Sequence, residues 1–168
     1  HALWTRSTKA NNCVLVNGEG QTIREQRANG RLRAFEERAG MSYVCGDAAA
    51  AYTGRLTRFD RHLLLLRPGL VLLLDDVAAP APARFQWMLH AFDEMAVRDD
   101  RVVSRRDGAE MDVRLSCPAG LSVSQTDQFD VPYNTDIPEA FQQGLPNHWH
   151  VTAETQARAK ATRIAAAM

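Results

Sequence analysis

The feature that most constrains this chain is the stretch Phe59-Asp-Arg-His-Leu-Leu-Leu-Leu-Arg-Pro-Gly-Leu-Val-Leu-Leu-Leu-Asp-Asp-Val77. Two apolar runs, Leu63 to Leu66 and Leu70 to Leu74, are separated by Arg67-Pro68-Gly69, where proline presets one turn dihedral and glycine accepts the other. Each run is too short to span a bilayer, and the Pro-Gly pair interrupts a continuous helix. The stretch therefore predicts a β-hairpin, its strands buried on both faces, in the middle of a larger sheet. A helical hairpin is the competing reading, because leucine is a weak strand former. A third apolar segment, Arg84 to Phe92, follows Ala-Ala-Pro-Ala-Pro-Ala and extends the sheet.

Short extended runs fill the rest of the chain. Asn12 to Val16 reads as a strand closed by the Asn17-Gly18 turn. Thr22 to Gln26 and Arg31 to Glu37 flank Ala28-Asn29-Gly30, with Leu32, Ala34 and Glu36 alternating against Arg31, Arg33 and Phe35, which predicts a second hairpin. Met41 to Cys45 is another strand, and the alanines of Ala48 to Tyr52 suit one helical turn. Beyond Phe92 come Met95 to Arg98, Arg101 to Arg105, Glu110 to Ser116 and Leu121 to Gln125, divided by Asp99-Asp100, Asp107-Gly108 and Pro118-Ala-Gly120. This spacing is the rhythm of an all-β antiparallel β-sandwich. Gln128 to Asn147, with three prolines, reads as a long connection covering one edge, and Trp149 to Thr152 resumes the extended pattern. Thr155 to Met168 is helical by composition, but its setting after so many strands favours two more strands around Ala157-Arg158-Ala159.

Twenty basic residues balance twenty acidic ones across 168 residues, which argues against a nucleic-acid partner. No apolar run is long enough for a membrane helix. Cys13, Cys45 and Cys117 show no CxxC spacing and leave room for one disulfide at most. The chain begins without methionine or a secretion signal and stops within Ala165-Ala-Ala-Met168, so it reads as one sandwich domain, residues 1–168, truncated at both ends. Open edges then predict self-association as a homodimer.

Familiar chemical motifs are few. Gly18-Glu-Gly20 lacks the third glycine and the following helix of a phosphate loop, and neither GxSxG nor HExxH occurs. His148-Trp-His150 sets two imidazoles on one strand face, a metal pair if a carboxylate lies opposite. His90, on the face of Gln86 and Met88, reads as a hydrogen-bonded core residue, with a ligand role as the alternative. His62 reads as structural, and Asp75-Asp76, which resembles a calcium or capping pair, as an exposed turn.

Thr5-Arg-Ser-Thr-Lys-Ala-Asn-Asn-Cys-Val-Leu-Val-Asn-Gly-Glu-Gly-Gln21 resembles a signature of the heparinase II/III-like polysaccharide lyases, in which Arg-Ser-Thr precedes His-Asn-Thr, a short strand and an Asp-Gly turn. Tyr43-Val-x-Gly-Asp47, Ala51-Tyr52, Arg61, Arg67-Pro68, Leu74-Asp-Asp76 and Trp87-x-Leu-His90 follow in register. The resemblance covers nearly the whole chain. It implies the sandwich part of a periplasmic or secreted enzyme whose α/α toroid lies outside these residues and whose substrate is an acidic polysaccharide such as a glycosaminoglycan or alginate. Such enzymes cleave by β-elimination, a base taking the proton α to the uronate carboxylate and an acid protonating the departing oxygen. By the same resemblance no catalytic residue lies in this chain, Arg6, Asn12 and His90 are substrate contacts, and Asn11 stands where the family has a zinc-binding histidine. An amide is a poor zinc ligand, so the resemblance implies zinc for the family and a departure here. A non-catalytic carbohydrate-binding or structural sandwich is the competing function.

Overall fold

The structure, a computed structural model, describes residues 7–128 and 147–168. Twelve strands, numbered in chain order, form two sheets among them. The small sheet has the order β1 (Val14–Val16), β6 (Phe85–Ala91), β11 (Trp149–Thr155), β10 (Leu121–Thr126). The large one runs β2 (Arg31–Arg38), β3 (Met41–Asp47), β4 (Arg58–Leu66), β5 (Leu70–Ala83), β12 (Ala159–Ala167), β9 (Ala109–Ser116), β8 (Arg101–Arg106), β7 (Ala96–Arg98). Every pairing is antiparallel, as the turn spacing predicts.

Alternation along the strands builds one core between the sheets. Val14, Phe85, Trp87, Leu89, Val151 and Ala153 enter it from the small sheet, and Phe59, Val77, Val102, Val113, Ile164 and Ala166 from the large one. Tyr52, at the end of a 3-10 turn over Ala49–Tyr52, is fully buried and donates its hydroxyl to the carbonyl of Val14 at 2.6 Å. This bond fixes β1, the strand that carries the Asn11-Asn12 segment, against the connection from β3 to β4.

The central hairpin forms as predicted, β4 meeting β5 from Leu66↔Leu70 to Arg58↔Ala78. It is not buried on both faces. Leu73 turns inward, whereas Leu70 is 42% exposed and Leu72 36%, because a two-layer sandwich covers each sheet on its inner side. The predicted hairpin across Ala28-Asn29-Gly30 does not exist either. β2 pairs instead with β3, through the turn at Gly40, whose φ of +78° suits glycine, while Arg24 at φ +62° interrupts extension in the 22–26 run. A register shift between Leu32 and Ala34 breaks the expected alternation, leaving Leu32 and Phe35 exposed.

The last segment is extended rather than helical, as its setting predicts, but it supplies one strand and not two, β11 ending at Thr155 and β12 running Ala159–Ala167. β12 is inserted between β5 and β9 and finds backbone partners on both sides, which offsets the helix propensity of its alanines. All three cysteines are free, so the one disulfide that their number allowed does not form. The predicted edge-covering connection lies almost entirely in 129–146, outside the described residues.

Candidate functional site

The outer face of the small sheet is a ladder of cross-strand pairs: Gln86↔Glu154, Met88↔Thr152 and His90↔His150. These side chains point outward because their neighbours Phe85, Trp87, Leu89, Val151 and Ala153 point into the core. Gln86 joins three elements, donating Nε2 to Glu154 at 2.8 Å and accepting the Gly18 N–H on Oε1 at 2.8 Å. The imidazoles of His90 and His150 stack with centroids 5.6 Å apart. A cavity of about 180 Å³ opens on this face, lined among others by Lys9, Gln86, Met88, His150 and Thr152. Its groups can donate and accept hydrogen bonds, and its floor is the small sheet.

His90 and Asn12 form the centre of the site. Asn12 Oδ1 accepts the His90 backbone N–H at 2.9 Å and lies 3.0 Å from Nδ1, while Nε2 lies 2.9 Å from the carbonyl of Lys9. A neutral imidazole has one N–H and satisfies one of these carbonyls; the cation satisfies both. Burial is the largest influence and pushes the ring below its ordinary pKa, the Lys9 carbonyl opposes it, and the nearby His150 and His148 deepen the depression. His90 is hydrogen-bonded as expected, but it lies on the outer face and not in the core between the sheets. It is a half-buried post on the outer face that binds the Lys9–Asn12 segment.

The same segment is tied to the large sheet from beneath. Arg61 Nη1 donates to the carbonyl of Asn12 at 2.6 Å, while Nε and Nη2 form a fork onto Asp75 at 2.7 and 2.8 Å. Asp75 is fully buried, not an exposed turn residue: it lies within β5, opposite Arg61 on β4 and Ile164 on β12, so alternation turns it to the core and Asp76 to the surface. Burial pushes the Asp75 carboxyl above the ordinary range, and Arg61 pulls the other way. Burial also opposes the charge on Arg61, but the bonds to Asp75 outweigh it and hold the guanidinium protonated. A chain of contacts thus runs from the large sheet through Asp75, Arg61 and Asn12 to His90 on the far side of the small sheet.

The model of the family described as "Heparinase II/III-like, C-terminal" matches residues 1–166. The chain belongs to this family. No curated protein sequence matches it. Solved structures similar to it include the heparinase III BT4657 gene product (13% identity, TM-score 0.72) and another heparinase III (15%, TM-score 0.72). A third is heparan sulfate lyase HepC from Pedobacter heparinus, at 13% identity and TM-score 0.64. Each match covers 98% of this chain and 24% of the other, so the chain spans about a quarter of the heparinases it resembles, and the likeness is one of fold.

Within this heparinase-like frame, the residues singled out by sequence meet different fates. Asn12 and His90 come together, whereas Arg6 lies outside the described residues. Asn11 is exposed and donates Nδ2 to the carbonyl of Ser7 at 2.8 Å. Among the described residues no three His, Cys, Asp or Glu side chains are grouped to hold a metal. With an amide at position 11, these residues do not by themselves fit zinc. Across the ladder His150 faces His90, whose two nitrogens meet Asn12 and Lys9, and His148 meets Phe92. His62 Nδ1 lies 2.8 Å from the Tyr43 hydroxyl. The Arg61–Asp75 fork was missed, although counting by twos from the inward Leu73 and Val77 leads to Asp75.

Proposed function

We propose that this chain is the sandwich-side wall of the substrate cleft in a lyase that cleaves an acidic, uronate-containing polysaccharide by β-elimination. The base and acid of that reaction belong to parts of the protein outside these residues, foremost an α/α toroid, and the chain alone holds substrate without cleaving it. A periplasmic or secreted setting suits such a polymer. The observation that carries the proposal is the pinned Lys9–Asn12 segment beside the outer-face ladder, in a chain that belongs to the heparinase-like family.

Asn12 orients His90, and His90 in turn holds the Lys9 backbone at the rim of the cavity. Hydroxyls and carboxylates of the polymer then meet Gln86, His150 and Thr152 on a surface whose geometry is set in advance. Arg6, in the same leading segment, is assigned to the uronate carboxylate, whose negative charge must be neutralised if its α-proton is to leave.

Retention of the chain on immobilised heparan sulfate, compared with neutral dextran, tests this reading. Retention on the acidic polymer alone is expected, weakened about tenfold in Asn12→Ala, with no unsaturated uronate absorbance produced. Equal retention on both polymers, or an Asn12→Ala chain that binds as the wild type does, overturns the assignment of this face. Double-bond absorbance rising in proportion to the chain overturns the division of labour.

A further inference from the structure

We propose that Phe92, Arg106 and His148 form a terminal subsite for an anionic pyranose, at the end of the ladder where the two sheets meet. The inference rests on the polysaccharide reading and assigns residues that reading does not use. Alternation continues beyond β6: His90 faces outward, Ala91 packs against the core, and Phe92 faces outward again. His148 takes the matching place before β11, its ring centroid 4.4 Å from that of Phe92 in an edge-on arrangement. From the end of β8 in the large sheet, the Arg106 guanidinium reaches over the Phe92 ring, 4.2 Å from its centroid.

Two groups, His148 and Arg106, thus converge on Phe92, which stays 51% exposed. The combination matches an acidic sugar. One side of a pyranose presents C–H bonds, which pack on the part of the Phe92 ring that Arg106 leaves exposed. A guanidinium offers paired N–H donors to a carboxylate or sulfate, and an imidazole adds a further hydrogen bond. Arg106 rests on Asp107 at 3.3 Å and Asp93 at 3.8 Å, whose side chains are 88% and 59% exposed. Such solvent-facing contacts are weak, so a ligand anion held by the whole subsite can replace them. Phe35 provides the contrast: it is 64% exposed on β2, and among the described residues no cation stands over its ring.

Calorimetric titration of the chain with a size-defined heparan sulfate hexasaccharide, with maltohexaose as the neutral comparator, tests the subsite. Phe92→Ala is expected to weaken hexasaccharide binding about tenfold, the scale of losing one aromatic anchor. Arg106→Gln should weaken it about as much and abolish the preference for the carboxylated over the carboxyl-reduced hexasaccharide. Phe92→Tyr should retain binding, and Phe35→Ala should leave it unchanged. Circular dichroism and thermal midpoints confirm that each variant is folded. If the wild type binds and Phe92→Ala binds equally, the subsite is wrong and the wider reading stands. Should the wild type bind no acidic oligosaccharide, that reading falls and the subsite falls with it.

Discussion

On the outer face of the small sheet, neighbouring strands set Gln86 beside Glu154 and His90 beside His150. On the outer face of the large sheet, one row runs Tyr43, Leu64, Leu72, Ala167, Arg114, Arg101 and Arg98. Both faces arise from the same two-residue alternation, and their chemistry diverges. The large sheet's row is apolar in the middle, over a groove of about 640 Å³ lined by residues such as Leu64, Leu72 and Leu74. Its charges answer one another across strands, Arg101 pairing with Asp112 at 2.7 Å and Arg105 with Glu110 at 2.6 Å. The small sheet keeps imidazole, amide and hydroxyl groups around a polar cavity and ties the leading segment to them. The difference teaches that one alternation can give two kinds of surface: the large sheet's charges satisfy one another across strands, whereas the small sheet's polar groups stand around a cavity.

The largest expected effect strikes what lies between these faces. Asp75→Asn leaves Arg61 largely buried without its counter-charge and should cost about 3–5 kcal/mol of stability, read from urea unfolding. Replacing both partners, Arg61→Met with Asp75→Leu, should recover most of that loss. It also removes the donor to the Asn12 carbonyl, so polysaccharide retention should stay weak in a chain that folds. Full retention in the double variant would show that the Asn12 segment is held from its outer side alone.

A smaller effect separates the faces by pH. His90 has a folded pKa below its unfolded value of about 6.5, so its contribution to stability is complete above that pH. It declines as pH falls through about 6.5 towards the folded value, because the unfolded chain takes up the proton first. The His90 ring resonances should titrate with a midpoint below 6.5, and His90→Gln should flatten this part of the stability profile. A midpoint above 6.5 would mean that the two carbonyls outweigh burial and that the ring is held as the cation.

The smallest effect is expected on the large sheet's outer face. Asp112→Asn removes the fork that accepts Arg101, and the Arg101 and Asp112 side chains are 40% and 39% exposed. The unfolding midpoint and retention on heparan sulfate should both remain as in the wild type, since solvent screens such pairs. Weaker retention would move the binding face to the large sheet.

Much of this architecture was legible in the residues. Proline and glycine at 68 and 69 mark the central turn, and Asp107-Gly108 and Pro118-Ala-Gly120 mark later ones, since each punctuates an apolar run with turn chemistry. What was not legible depends on partners distant in sequence. Whether Leu72 faces a second layer or water depends on how many layers the fold has, which no local pattern states. The bulge at Arg33 turned Leu32 and Phe35 to an exposed surface, and a period-two reading cannot anticipate an extra residue. Asn12 and His90 were named separately, but their bond spans 78 positions and follows from β1 pairing with β6. Asp75 was misread because an Asp-Asp pair after a leucine run looks like a turn, when the strand continues to Ala83.

The central claim, that the outer face of the small sheet meets an acidic polysaccharide, is tested most directly by chemical-shift mapping of the isotopically labelled chain with a heparan sulfate oligosaccharide. The account predicts saturable shifts at Asn12, Gln86, His90, His150 and Thr152, none at Leu64, Leu72 or Ala167, and no response to a neutral glucan. Shifts concentrated on the Tyr43 to Arg98 row of the large sheet, with Asn12 and His90 silent, would contradict it.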